Sequence, residues 1–447
     1  MPRNAIGRTR LSNSRRGAPD WAAPEVALLT GGQDRSYVFG LATTLRQRGI
    51  RVHVVGNDRV DNIEFHTSDR ITFVDRGGMR PNAGFLAKLF QLTVYYVRLI
   101  AYVTFKSPKI VHILWNNKAE YFDRTLLTLY FKCLGKKIVL TAHNVNKAKR
   151  DSCDSVLNRL TLGIQYRLTD QIFVHTEKMK SELVQEFGVS PERVVVIPFG
   201  TNIAVPDTEL TAAQAKRRLG IRPEERTILF FGRIVPYKGL EHLVEAFHRL
   251  APYDMNDRLI IAGQPMIGFE SYVEDIRRAI ADGCGADRIL CRLEFIPDDE
   301  TEVYFKAADV LVLPYRNIFE SGVLFLAYRF GLSVIASDVG SFREELTNSG
   351  AGLLFEPGNS ASLAANLEAF FKSHLYKDAT QRRQRIKEYS SARHSWTIVG
   401  EITAGVYIGL LKDRMRLAMP PSQGRGEASR SSDQGFCKSA QSGVRES

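Results

Sequence analysis

The sequence is poor in cysteine. Five occur in 447 residues (Cys133, Cys153, Cys284, Cys291 and Cys437), at no regular spacing and with no C-x-x-C. Neither a disulfide framework nor a thiolate zinc site is indicated, and a reducing, cytoplasmic compartment is the expected setting. It lacks the run of roughly 18 uncharged apolar residues that a spanning helix needs: the most apolar window, Phe85 to Phe105, is broken by Lys88 and Arg98. The arginines at the N-terminus have no apolar stretch behind them, so no secretory signal is expected. No D-x-D triplet occurs, so no metal held by paired aspartates is expected. No G-x-G-x-x-G occurs either, which leaves a nicotinamide fingerprint unsupported. No internal repeat is visible.

What is present is ordinary globular composition, 44% hydrophobic and 25% charged, with an uneven charge. Residues 1–200 carry 30 Lys and Arg against 17 Asp and Glu, and residues 201–447 carry 31 against 32, so the net charge of +12 resides in the first half. Removing the five arginines of the N-terminal tail and Asp20 still leaves 25 basic against 16 acidic. No groove-reading motif accompanies the charge, so no nucleic acid partner is expected. The apolar bulk of Phe85–Phe105 beside Lys88, Arg98, Lys106 and Lys109 suits a helix lying on an anionic membrane face. Equally, it suits a helix that packs on the first sheet with its cations in water.

Short apolar runs alternate with amphipathic stretches, the pattern of parallel sheets wrapped in helices. Strands are expected near Val26–Thr30, Val52–Val55, Ile110–Trp115, Lys137–Ala142, Gln171–His175 and Val194–Pro198. A second series is expected near Thr227–Phe231, Leu259–Gly263, Leu290–Phe295, Val310–Pro314, Ser333–Ser337 and Gly352–Phe355. The expected organisation is a disordered tail (1–23), a first α/β domain (24–204), a second (205–394) opened by a charged helix over Asp207–Leu219, a helix (395–414) returning to the first domain, and a disordered tail (419–447).

Three loops can carry chemistry. Thr30-Gly31-Gly32-Gln33-Asp34 lies between a strand and a helix, where open α/β sheets bind ligands, although Gly31 and Gly32 equally serve a tight turn. Phe231-Gly232-Arg233 through Tyr237-Lys238-Gly239 sets two cations five residues apart beside glycines, fit to converge on one diphosphate. Glu320-Ser321-Gly322-Val323 opens a helix and offers free amides beside an acid, unless Ser321 caps them. His175, in Phe-Val-His-Thr-Glu, suits a satisfied residue at a strand end.

Together these segments resemble the retaining nucleotide-sugar glycosyltransferases of family 4, with the two-domain GT-B architecture, over Val26 to about Leu411. Phe230-Phe231-Gly232-Arg233 with Tyr237-Lys238-Gly239 matches the family's F-x-G-R-x-x-x-x-K-G. Ile197-Pro198-Phe199-Gly200-Thr201-Asn202 is similar to its I-P-N-G-V-D, and Thr141-Ala142-His143-Asn144 to its strand ending in His-Asp or His-Asn. Ser321-Gly322-Val323 through Gly331, then Val334 to Gly340, looks like its donor-binding helix and following strand.

The resemblance implies that Arg233 and Lys238 hold the donor diphosphate and that His143 faces the sugar. It also implies that Gly31, Gly32, Gly232, Ser321, Gly322 and Val323 line the donor site. The family's two glutamates, separated by seven residues, would fall at Ile318 and Leu326; neither is matched, and Glu320 is carried over as the nearby acid. The implied function is retaining transfer of a hexose from a nucleotide sugar to a glycan or lipid-linked acceptor, without metal or cofactor. The setting is polysaccharide or glycolipid synthesis at the inner membrane face. The rivals are a donor-binding scaffold with impaired catalysis and a nucleotide-sugar epimerase on the same architecture.

Overall fold

A computed structural model describes residues 24–77, 84–106, 108–150 and 153–418. The expected tails, 1–23 and 419–447, lie outside the described residues.

The first sheet contains β1 (Glu25–Leu29), β2 (Arg51–Gly56), β3 (Ile71–Asp75), β4 (Ile110–Ile113), β5 (Lys137–Thr141), β6 (Gln171–Val174) and β7 (Val194–Val196). Their order is β3-β2-β1-β4-β5-β6-β7, with every pairing parallel. The second contains β8 (Arg226–Phe231), β9 (Asp257–Ala262), β10 (Ile289–Arg292), β11 (Val310–Leu313), β12 (Ser333–Ser337) and β13 (Gly352–Phe355), in the order β10-β9-β8-β11-β12-β13, again parallel. Strand order reverses between β1 and β4 in one sheet and between β8 and β11 in the other. Such a reversal opens a crevice at the carboxyl ends of the strands, so the loops after these four strands are where a ligand is expected.

Several expectations need correcting. The helix that opens the second half runs from Ala212 to Arg218, not from Asp207, because Thr211 and Gln214 form a capping box that fixes its start. The strand after β9 ends at Arg292, leaving Phe295 exposed. The edge strand β3 was not expected; only Ile71 and Val74 are buried in it, which weakens its apolar signature. Phe85–Phe105 is a single uninterrupted helix, long and apolar enough by length and composition to cross a membrane. Lys88 and Arg98 do not break it.

The C-terminal helix, Trp396–Ala418, packs along the first helix, Arg35–Gln47. Trp396 is its wedge. A Cβ at Gly40 or Gly400 would overlap Trp396 or Thr44 respectively, so glycine at both positions lets the two helices touch. The indole Nε1–H donates to Thr201 O at 2.7 Å, and the Thr44 hydroxyl donates to Trp396 O at 3.1 Å. Further along, Tyr407 hydrogen-bonds His112 Nδ1 at 2.6 Å inside the first sheet's core. Replacing Trp396 by Ala empties this seam and is expected to cost about 3–5 kcal/mol, a large part of a typical folding free energy. Urea unfolding measures it; a loss below about 1 kcal/mol would contradict the wedge.

Candidate active site

In the second domain, the chain leaves β8 through Gly232 and Arg233 and enters a single 3-10 turn, Pro236–Lys238. Gly239 closes that turn at φ 62°, and a Cβ there would overlap the Pro314 carbonyl. Glycine at this position seats the loop against the end of β11. Lys238 is thereby carried inside, 7% exposed, with its Nζ over the Tyr315 ring at 5.1 Å. Arg233 stays exposed. The Gly232 amide is committed to Ala262 O at 3.0 Å, so what Gly232 supplies is room: a Cβ there would lie 2.8 Å from Lys238 Nζ and 3.4 Å from Val323 Cγ2.

Among the described residues, Lys238 makes no salt bridge. Burial, and then the Arg233 guanidinium, push its ammonium down to about 7. A buried amine with a second cation beside it and no carboxylate is an incomplete arrangement, and a dianionic group between the two would complete it.

The loop after β11 brings up Glu320 and Ser321. Ser341 N–H donates to Phe319 O at 2.9 Å and holds the loop. The Ser321 hydroxyl lies 3.4 Å from Tyr315 Oη and makes no cap bond to the helix Gly322–Arg329, so the capping alternative does not hold. Glu320 Oε2 is buried without a hydrogen-bond partner. Burial, then the charges of Glu345 and Glu344, raise its carboxyl well above the ordinary range, which favours the protonated form, an O–H donor. Leu326, where the family pattern has a glutamate, is 5% exposed and belongs to the second domain's core.

The first domain supplies the opposite wall. Gly31 (φ 57°) and Gly32 (φ 67°) turn the chain after β1. The Gly32 amide is taken by Thr30 Oγ1 at 3.2 Å, and both residues pack against the Asn57 and Trp115–Asn116 loops. They shape this wall rather than join the cations. Asp34, at φ 38°, then caps the first helix by accepting from Tyr37 N at 3.0 Å, and faces Arg233 closely enough to interact electrostatically.

His143 stands at the end of β5. Its ring stacks on Trp115 (4.2 Å between centroids, 6° between planes) and meets the Tyr37 ring edge-on at 4.8 Å. Its Nδ1 lies 3.0 Å from His175 Nε2, while its own Nε2 is buried without a partner. Glu320 acts electrostatically on Tyr37, which ties the two walls together. Phe199, in the segment joining the domains, stacks on Phe325 at 5.4 Å and also contacts Tyr37 and His175.

The structure thus assembles Arg233, Lys238, Gly232 and Val323 in one place, with Glu320 and His143 presenting unpartnered polar atoms. Tyr37 and Trp115 were not expected at the site, and Asp34 was named within its loop without a role. Only the position of Trp115 and Asp34 just after β4 and β1 hinted at them.

Known proteins share the two halves of this fold. Glycosyltransferase Family 4 matches residues 30–205, and Glycosyl transferases group 1 matches residues 212–393. A D-inositol 3-phosphate glycosyltransferase of Corynebacterium efficiens is 26% identical over 281 residues, which cover 60% of this chain and 65% of that protein. A protein of the same name from Geodermatophilus obscurus is 30% identical over 223 residues, 48% of each chain. The matches therefore span about half to two thirds of these relatives.

Among solved structures, a sucrose-phosphate synthase from Thermosynechococcus elongatus superposes with a TM-score of 0.69 at 18% identity, covering 89% of this chain and 100% of that one. Anabaena Alr3699/HepE in complex with UDP-glucose gives 0.68 at 16%, covering 86% and 99%. A putative UDP-N-acetylglucosamine 2-epimerase from Listeria monocytogenes gives 0.58 at 16%, covering 88% and 98%, so the fold alone does not separate transferase from epimerase. The two adjoining family matches, on two facing parallel sheets, decide membership: the chain belongs to the family 4, group 1 glycosyltransferases and has their GT-B fold.

Proposed function

We propose that the protein transfers a hexose from a nucleotide-sugar donor to a glycan or lipid-linked acceptor with retention of configuration. The observation that carries this reading is the unbalanced pair Lys238 and Arg233 at the mouth of the strand-order reversal. A diphosphate held there meets both cations and the amino end of the helix Gly322–Arg329, and its charge on leaving is neutralised without a metal. The Glu320 O–H on the same wall and His143 Nε2 across the cleft hold oxygens of the sugar. With its proton favoured, Glu320 is no nucleophile for a double displacement, and retention then has the acceptor hydroxyl attack on the leaving-group face as the anomeric C–O bond to the phosphate breaks, its proton passing to the departing diphosphate.

One observation favours a donor-binding scaffold instead: Leu326 offers no carboxylate to a ribose, which forgoes about 1.5–3 kcal/mol of charge-assisted hydrogen bonding. That loss weakens donor affinity and leaves the cations and Glu320 in place. A thermal-shift screen with UDP-glucose, GDP-mannose and ADP-glucose tests the proposal. A donor at 100 times its dissociation constant adds about 2.7 kcal/mol. Stabilisation by none of the three, nor by their nucleoside diphosphates, would contradict it; stabilisation without any slow donor hydrolysis would favour the scaffold.

The proposal extends to docking on an anionic membrane at the cytoplasmic face. The helix Phe85–Phe105 buries only Tyr96, Leu99 and Val103 on its domain. Phe85 (80%), Leu86, Leu89 and Phe90 (70%) remain exposed beside Lys88. Such apolar bulk with cations suits an interface, where each basic residue adds about 1 kcal/mol. In sedimentation with phosphatidylglycerol vesicles, binding is expected at low salt and its loss is expected at high salt. No binding at low salt would refute docking.

A further inference from the structure

The partner of His143 determines what His143 can bind. His175 Nδ1 lies 3.3 Å from the Ile197 carbonyl, which can only accept, so that nitrogen carries the proton. In a neutral ring, His175 Nε2 is then a lone pair. The atom 3.0 Å away, His143 Nδ1, must donate to it. His143 is thereby left with a lone pair on Nε2, the buried atom for which the protein supplies no partner.

Both rings are held neutral by burial; His175 is lowered to about 4 and His143 well below its ordinary value. Around them stand Trp115, Tyr37 and Phe199, with His112 as a further charge-disfavouring neighbour of His143. The Trp115 stack fixes the ring plane, and within that plane a flip that exchanged Nε2 with Nδ1 would forfeit the His175 contact.

We propose that His175 is a positioning residue: through the Ile197 carbonyl it sets His143 in the Nδ1–H form, making the unpartnered Nε2 a hydrogen-bond acceptor that takes a ligand hydroxyl and turns away a carboxylate. This deepens the proposed function and rests on it for the identity of the ligand, a sugar hydroxyl. The tautomer itself does not depend on that reading.

The experiment is long-range 1H–15N correlation on ring-labelled protein without ligand, with His143 and His175 assigned by substitution. His143 is expected to show a protonated Nδ1 and an unprotonated Nε2. His175→Phe removes the acceptor, and a mixed or Nε2–H form of His143 is expected, with kcat/KM for whichever of UDP-glucose, GDP-mannose and ADP-glucose is turned over falling about tenfold. His175→Gln places an amide oxygen near the original Nε2 and is expected to restore both the tautomer and most of the rate. An Nε2–H form of His143 in the unaltered protein overturns the proposal, as does an unchanged tautomer in His175→Phe. If the tautomer is as stated and His143→Ala leaves turnover intact, the lock stands and the assignment of His143 to the donor fails.

Discussion

Replacing Lys238 by Ala is expected to lower kcat/KM for the nucleotide sugar by about 10²–10³-fold, with Arg233→Ala somewhat milder, and to leave the fold intact. Lys238 is the buried member of the pair, and among the described residues no carboxylate forms an ion pair with its ammonium. Removing it relieves an internal strain on the empty protein while withdrawing the charge that a leaving diphosphate requires. The variant is therefore expected to match or exceed the unaltered protein in urea while losing donor affinity.

The same amine gives a pH dependence whose sign is fixed. Without ligand it releases its proton near pH 7, because burial and then Arg233 lower it. A bound diphosphate needs it charged, so binding takes up a proton above that pH. Affinity for the nucleoside diphosphate is expected to be flat below about pH 7 and to fall by up to tenfold per unit above it. The fall is expected to vanish in Lys238→Ala. Titration calorimetry in buffers of different ionisation enthalpy checks the proton uptake; a pH-independent affinity between 6.5 and 8.5 would refute the assignment.

The second large effect is expected at Glu320, where Ala and Gln should differ. Glu320→Ala is expected to lose about 10²-fold in kcat, whereas Glu320→Gln, which keeps a hydrogen-bond donor of similar shape, is expected to stay within about tenfold. The contrast follows from the direction in which burial, then Glu345 and Glu344, shift the carboxyl, toward its protonated form. A carboxylate acting as nucleophile would make Gln as damaging as Ala, and equal losses would overturn the proposed role.

Stability offers an independent check on the same residue. Its folded value lies above its unfolded one, so the native state binds the extra proton. Glu320 therefore destabilises progressively as pH rises above about 4.5. Glu320→Gln is expected to be the more stable form at neutral pH, with the difference shrinking as pH falls toward 4.

The two sheets were legible because parallel strands buried on both faces read as near-continuous apolar runs; Ser333–Ser337 and Gly352–Phe355 stand where expected. The cation pair was legible for a related reason: a strand end, glycines, a proline and two cations fall within ten residues of sequence. The edge strand β3 was not, since it exposes Thr72 and Asp75 and lacks a full apolar face.

What the sequence concealed was mostly long-range. The His143–His175 contact joins the ends of two neighbouring strands 32 residues apart. The Trp396 seam brings together residues more than 350 positions apart. Neither leaves a local periodicity to read. Gly31, Gly32 and Gly232 were recognised as special, but two of their amides are spent within the protein; their service is to leave space and turn the chain.

If cleft cations, with no nucleophilic carboxylate, carry a nucleotide sugar through retaining cleavage, both metal dependence and stereochemistry are fixed in advance. Proton NMR of the sugar released or transferred from the stabilising donor, recorded early and in excess chelator, reads both. Undiminished turnover and a first-formed product with the anomeric configuration of the donor are expected. Turnover abolished by the chelator and restored by magnesium or manganese, or a first-formed product of inverted configuration, would contradict that mechanism.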